Sequence, residues 1–133
     1  MAEDFVVKKV LIVEDNPVNQ KVMQKLVKIF GHDSLVIDDG FKVIEIAKSY
    51  QPDLILMDIQ LVGISGIEVT KNIKKDEELK SIPVVAVTAS ATTEDREKIV
   101  RESKCDDYLA KPFSPKELAA MMSQYFEVKK VDL

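Results

Sequence analysis

Short apolar runs, each closing on polar residues and each followed by a helical pattern, constrain this chain more than any other feature. Val10–Val13, Leu54–Met57 and Val84–Val87 are unbroken apolar stretches that end in Glu14-Asp15, Asp58 and Thr88. Runs without polar alternation suit strands covered on both faces, as in a parallel sheet. Leu35–Ile37 and Tyr108–Ala110 are weaker runs, better suited to sheet edges. Between the runs, Asn16-Pro17 reads as an N-cap with proline at the first helical position. Val18, Val22, Leu26 and Phe30 then recur every four residues up to Gly31. Phe41, Ile44, Ala47 and Lys48 predict a second helix ended by Pro52, and Ile67, Thr70, Ile73 and Lys74 a third. Thr92-x-x-Asp95 opens a fourth, carrying Ile99 and Val100. Ser114-Pro115-x-Glu117 is a full capping box, followed by Leu118, Met121, Met122 and Tyr125. Five strands and five helices in alternation predict a single α/β domain with a parallel sheet and helices on both faces.

Length and composition narrow the function. A chain of 133 residues is one domain's worth, and 46% hydrophobic with 32% charged residues is the balance of a folded globular protein. With apolar runs this short no transmembrane helix is expected, and Met1-Ala2-Glu3-Asp4 lacks a signal-peptide pattern, so a cytoplasmic location is expected. A net charge of −4 argues against nucleic acid as a main partner. One cysteine excludes an internal disulfide framework and a cysteine zinc site. Cys105 reads as a small packed residue, and His32, following a helix-ending glycine, as solvated. Met121, Met122, Tyr125 and Phe126 read mainly as core packing, and Met1–Val7 and Lys129–Leu133 as loosely ordered ends.

In open α/β sheets sites lie beyond the carboxyl ends of the strands. Glu14, Asp15, Asp58, Thr88 and Lys111 all fall there. If the first and third strands are neighbours, about 4.8 Å apart, three carboxylates converge. Without a counter-ion they repel, and one pKa must rise. All-oxygen ligands suit Mg²⁺. A carboxylate beside Mg²⁺ and the Lys111 ammonium can attack a phosphoryl donor, with Thr88 donating a hydrogen bond. Taken singly, each residue has a plain reading: Asp58 a loop carboxylate, Glu14-Asp15 helix caps, Thr88 a buried β-branched strand residue, Lys111 a surface lysine. Their joint placement favours the site.

Val10-Leu-Ile-Val-Glu-Asp-Asn, Leu56-Met-Asp-Ile-Gln-Leu, Val85-Ala-Val-Thr-Ala and Leu109-Ala-Lys-Pro-Phe resemble the motifs of the two-component response-regulator receiver domain, the CheY-like fold. The resemblance spans about residues 8–127, leaving 1–7 and 128–133 as short extensions without an output domain. Met57-Asp-Ile-Gln-Leu and Ile82-Pro-Val-Val-Ala-Val-Thr-Ala look most like stand-alone cell-cycle receivers of the DivK type. The resemblance implies a five-stranded doubly wound sheet in the order 2-1-3-4-5. It implies that Asp58 is the phosphoacceptor and that Mg²⁺ is held by Asp15, Asp58 and the Gln60 carbonyl, with Glu14 acting through water. Thr88 and Lys111 resemble the pair that contacts the phosphoryl group, Thr88 and Tyr108 the switch pair, and Lys111-Pro112 the family's cis peptide. The implied donor is a histidine kinase or histidine phosphotransfer protein. The implied output is altered binding of a downstream signalling protein on the face of helix 4, strand 5 and helix 5, by a monomer. Val62 departs from the family's usual proline, and Ser65-Gly66 from its frequent Asp-Gly, which implies a more mobile loop after the third strand. Gln60 and Ser90 stand where the family tunes dephosphorylation.

Other functions fit less well. A haloacid-dehalogenase-type phosphatase wants an aspartate two residues after its nucleophile, where this chain has Gln60. A flavodoxin-like or nucleotide-binding module wants a Gly/Ser/Thr-rich loop after the first strand, where Glu14–Gln20 is acidic and glycine-free. A receiver fold that binds partners independently of phosphorylation remains the alternative, and Tyr108 taken alone reads as a static edge residue, with the switching role favoured by its company.

Overall fold

The computed structural model describes residues 4–89 and 92–130. The elements are β1 (Lys9–Val13), α1 (Pro17–Ile29), β2 (Asp33–Ile37), α2 (Val43–Tyr50), β3 (Leu54–Asp58), α3 (Gly66–Lys75), β4 (Val84–Thr88), α4 (Thr93–Ser103), β5 (Asp107–Ala110) and α5 (Pro115–Met122). All strand pairings are parallel, in the order β2-β1-β3-β4-β5. This is the architecture expected from the alternating runs, with β2 and β5 at the edges.

The sheet splits the core by side-chain parity, because successive strand residues point to opposite faces. Val10, Ile12, Leu54, Leu56, Val85 and Val87 pack on one face with Met23, Val27 and Phe30 and with Leu118, Met121 and Met122 of α5. Leu11, Val13, Ile55 and Met57 pack on the other with Val43, Ala47, Val69 and Ile73. Both faces are therefore dry, which is why these runs show no polar alternation. The caps follow the sequence signals. Asn16 accepts from Val18 N–H and Asn19 N–H, and Ser114 and Glu117 close a reciprocal capping box. Thr92 accepts from Asp95 N–H.

Several sequence readings change. In α1 the line Val18–Val22 faces outward, and Met23 and Val27, with Phe30 beyond, face the sheet. A strict four-residue spacing drifts around a helix of 3.6 residues per turn, so the inner line follows steps of four and three. Phe41 is not a core residue of α2. It sits exposed in a single 3-10 turn, Gly40–Lys42, capped by Asp39, and the helix proper starts at Val43. His32 is buried, not solvated. Phe5 and Lys129, assigned to loose ends, are packed: Phe5 stacks on His32, and Lys129 N–H donates to Phe30 O at 3.0 Å. Cys105 is a buried free cysteine, as expected. Met121 and Met122 are buried, with Tyr125 and Phe126 packed against the same core. Ser90 and the outermost ends, 1–3 and 131–133, lie outside the described residues.

Candidate functional site

Strand register assembles the site. Val13 pairs with Met57, so the next residues, Glu14 and Asp58, emerge side by side at the carboxyl edge. Asp58 pairs with Val87, placing Thr88 one step further along β4. Thr88 pairs with Ala110, and Lys111 N–H donates to Thr88 O at 2.8 Å, which fixes where the lysine leaves β5. Residues remote in sequence thus share one edge by pairing alone.

The side chains then converge. Glu14, Asp15 and Asp58 each offer a carboxylate oxygen, all within 4.8 Å of one another. Lys111 Nζ lies 2.6 Å from Glu14 Oε1 and 3.5 Å from Asp58 Oδ2. Asp58 Oδ1 accepts from Gln60 N–H at 3.0 Å, and Asp15 Oδ2 accepts from Val62 N–H at 3.1 Å. Asn16 N–H donates to Glu14 Oε2 at 3.2 Å, and Gln20 Nε2 holds the Glu14 carbonyl at 2.6 Å. Glu14, Asp58 and Thr88 are buried, whereas Asp15 is half-buried and Gln60 exposed. The Lys111–Pro112 peptide is cis. Tyr108 is half-buried on β5, with the Arg96 guanidinium 4.9 Å from its ring centroid.

Burial first, and then the hydrogen bond shared with Glu14, push the Asp58 carboxyl up to about 6. Gln60 N–H and Lys111 pull against that rise without cancelling it. Burial also raises Glu14, but its bonds to Lys111, Asp58 and Asn16 N–H outweigh it and hold its carboxyl below the ordinary value. Of the pair, Asp58 is therefore the carboxyl that holds a proton more readily. An all-oxygen donor set of three carboxylates fits a hard divalent cation, and such a cation would favour the charged form of Asp58 that burial disfavours.

Three contributors escaped the sequence reading. Val62 acts through its own main-chain N–H on the Asp15 carboxylate, a donor that proline at this position would lack, and Gln20 through its side-chain amide on the Glu14 carbonyl. Gly66 opens α3 with its N–H on Ile59 O at 2.9 Å, and a Cβ there would collide with the Asp58 carbonyl oxygen. Ser65-Gly66 carried that signal as a cap followed by glycine.

The model of the response regulator receiver domain matches residues 10–123 of this chain. The polar-differentiation response regulator DivK of Brucella ovis is 48% identical over 107 residues, covering 80% of this chain and 86% of that protein. DivK of Brucella anthropi is 47% identical over the same length. The receiver domain of the sensor histidine kinase PA1611 from Pseudomonas aeruginosa, solved with a magnesium ion in its active-site cleft, superposes with a TM-score of 0.82 at 34% identity. That match covers 90% of this chain and 98% of the other. The chemotaxis protein CheY4 of Vibrio cholerae shares the fold, with a TM-score of 0.83 at 21% identity over 91% of this chain and 100% of its own. The chain belongs to the response regulator receiver family.

Proposed function

We propose that residues 8–127 form a single-domain receiver that accepts a phosphoryl group on Asp58 in a Mg²⁺-dependent reaction. The observation that carries this reading is the cluster of Glu14, Asp15 and Asp58 bridged by Lys111 at the carboxyl edge of the sheet. Asp15, Asp58 and the Gln60 carbonyl would hold the cation directly, and Glu14 through water. When bound, the cation supplies positive charge to the phosphoryl oxygens. An Asp58 carboxylate oxygen attacks phosphorus in line with the nitrogen of a phosphohistidine. The P–N bond breaks as the O–P bond forms, and the departing imidazole takes up a proton. Lys111 Nζ lies within reach of Asp58 Oδ2 and can follow the new charge. Thr88, one step along β4, supplies a hydroxyl donor.

The donor is a histidine kinase or a histidine phosphotransfer protein. Val22, Met23, Ala89 and Phe113 line an open groove beside Lys111, which gives an imidazole carrier an apolar approach. The output is altered binding of a downstream protein on the face of α4, β5 and α5, with Thr88 and Tyr108 as the moving pair. The contact of Arg96 on α4 with Tyr108 on β5 supports a coupling of those two elements. The protein works as a cytoplasmic monomer that carries signals and does not turn over a separate substrate. No described helix is long and apolar enough to cross a membrane.

The test is the intact mass of the protein after incubation with acetyl phosphate, with and without Mg²⁺, beside Asp58→Asn. One phosphoryl group on the wild type, only with Mg²⁺, is expected. No addition under any condition overturns the phosphoacceptor reading and favours a receiver fold that binds partners independently of phosphorylation.

A further inference from the structure

At the opposite edge of the sheet from the acidic cluster, the chain's single histidine joins the segment before β1 to the segment after α5. Lys8 N–H donates to His32 Nδ1 at 2.9 Å. A backbone amide can only donate, so Nδ1 carries no hydrogen and Nε2 does. Nε2 therefore donates to Glu127 O at 2.6 Å. The ring is stacked on Phe5, centroids 5.1 Å apart, and meets the edge of Phe126 at 4.6 Å. Lys129 Nζ sits 5.1 Å from the Phe5 ring centroid, and Lys129 N–H closes onto Phe30 O. Gly31, at φ +95°, leaves room for Phe5, because a Cβ there would meet both the Phe5 ring and the Lys129 side chain. His32 itself is only 2% exposed.

We propose that His32 is a pH-sensitive clasp, which in its neutral form fastens the segments around Phe5 and Glu127–Lys129 to the sheet and on protonation releases them.

The chemistry follows from the bonding. A proton on Nδ1 would face Lys8 N–H donor to donor, losing one hydrogen bond and burying a charge between two phenyl rings. Charges reach the ring from each packed element. Lys8, leading into β1, opposes protonation, whereas Asp33 of β2 and Asp53 before β3 favour it. From the last segment Glu127 contributes its carbonyl, and Lys129 adds positive charge over Phe5. Burial is the largest influence and holds the imidazole below its ordinary 6.5. The sign is therefore fixed. The open clasp takes a proton more readily than the closed one, so closure is fully present above about 6.5 and is lost as pH falls below it, about tenfold for each pH unit until the closed form itself titrates.

The test is the NMR titration of the sole histidine, together with amide protection factors corrected for intrinsic exchange. The expected result is the Nε2–H tautomer and a midpoint below 6.5. The amides of Lys8 and Lys129 should lose about tenfold protection per pH unit below 6.5, while Leu56 and Met57 stay better protected throughout. Phe126→Ala should move the midpoint up towards 6.5. His32→Asn, which cannot be protonated, should abolish the pH dependence at Lys129, and if it fails to fold the wild type and Phe126→Ala decide the matter. The proposal is overturned by a midpoint at or above 6.5, by the other tautomer, or by protonation that leaves the Lys8 and Lys129 amides unchanged.

Discussion

Two side chains carry opposite electrostatic loads at the acidic cluster. Asp58 is held in a place that favours its proton, up to about 6, so its charge opposes the metal-free fold at neutral pH. Asp58→Asn keeps the shape, including an oxygen for Gln60 N–H, and removes that charge. It should raise the melting temperature in a chelator-containing buffer, by on the order of 1–3 kcal/mol of stability, and calorimetry reads this directly. Lys111 does the reverse. Lys111→Met leaves Glu14 and Asp58 buried together without their ammonium, and the expected loss is about 3 kcal/mol by urea unfolding. Excess Mg²⁺ should restore part of that loss, and a loss unchanged by Mg²⁺ would mean that the cation does not bind between these carboxylates. The residue types at these positions were legible in the sequence because they stood together at run ends. Their second partners were not: Val62 helps through its main-chain N–H, which any residue but proline can supply, and Gln20 through a side-chain amide whose target, the Glu14 carbonyl, no residue type marks.

At the scale of elements, α3 is set against the end of β3. Its first residue, Gly66, touches the Asp58 carbonyl so closely that a methyl group there must displace either the helix or the strand end. Gly66→Ala should cost about 2–3 kcal/mol, and slow acetyl-phosphate labelling more than Asn72→Ala, an exposed change on the same helix. Equal labelling rates in the two variants would detach α3 placement from the reactive edge. Element type was readable wherever burial on both faces left an unbroken apolar run, as in β1, β3 and β4. Helix facing was less readable. A spacing of four brought Val18 and Val22 into the expected core, whereas the true inner line runs through Met23 and Val27. Of the outward pair, Val22 lines the groove beside Lys111, and Val18 is simply exposed.

For the molecule as a whole, a cation that binds only the folded chain stabilises it by mass action. At a hundredfold excess over its dissociation constant, Mg²⁺ should add about 2.7 kcal/mol. The proton on Asp58 competes for the same oxygens. Because its folded pKa is raised, that proton is bound below about 6 and absent above it, so the Mg²⁺-induced rise in melting temperature should shrink as pH falls through about 6. A rise that is constant from pH 8 to pH 5 would place the cation elsewhere. The sheet order and the edge carrying the cluster were readable from run order and motif. The clasp at the other edge was not, because a histidine after a glycine looks like a loop residue until Phe5 and Phe126, far apart in sequence, close on it.

The register that builds the acidic edge also bears on how the chain assembles. Pairing β1 with β3 brings Glu14 beside Asp58, and the ammonium that bridges them arrives with the segment following the last strand. A half-built sheet is thus an electrostatically unfinished object, with two carboxylates facing each other in a drying interior. Docking β5 delivers the counter-charge, so the two carboxylates gain their ammonium only in a sheet whose last strand is in place.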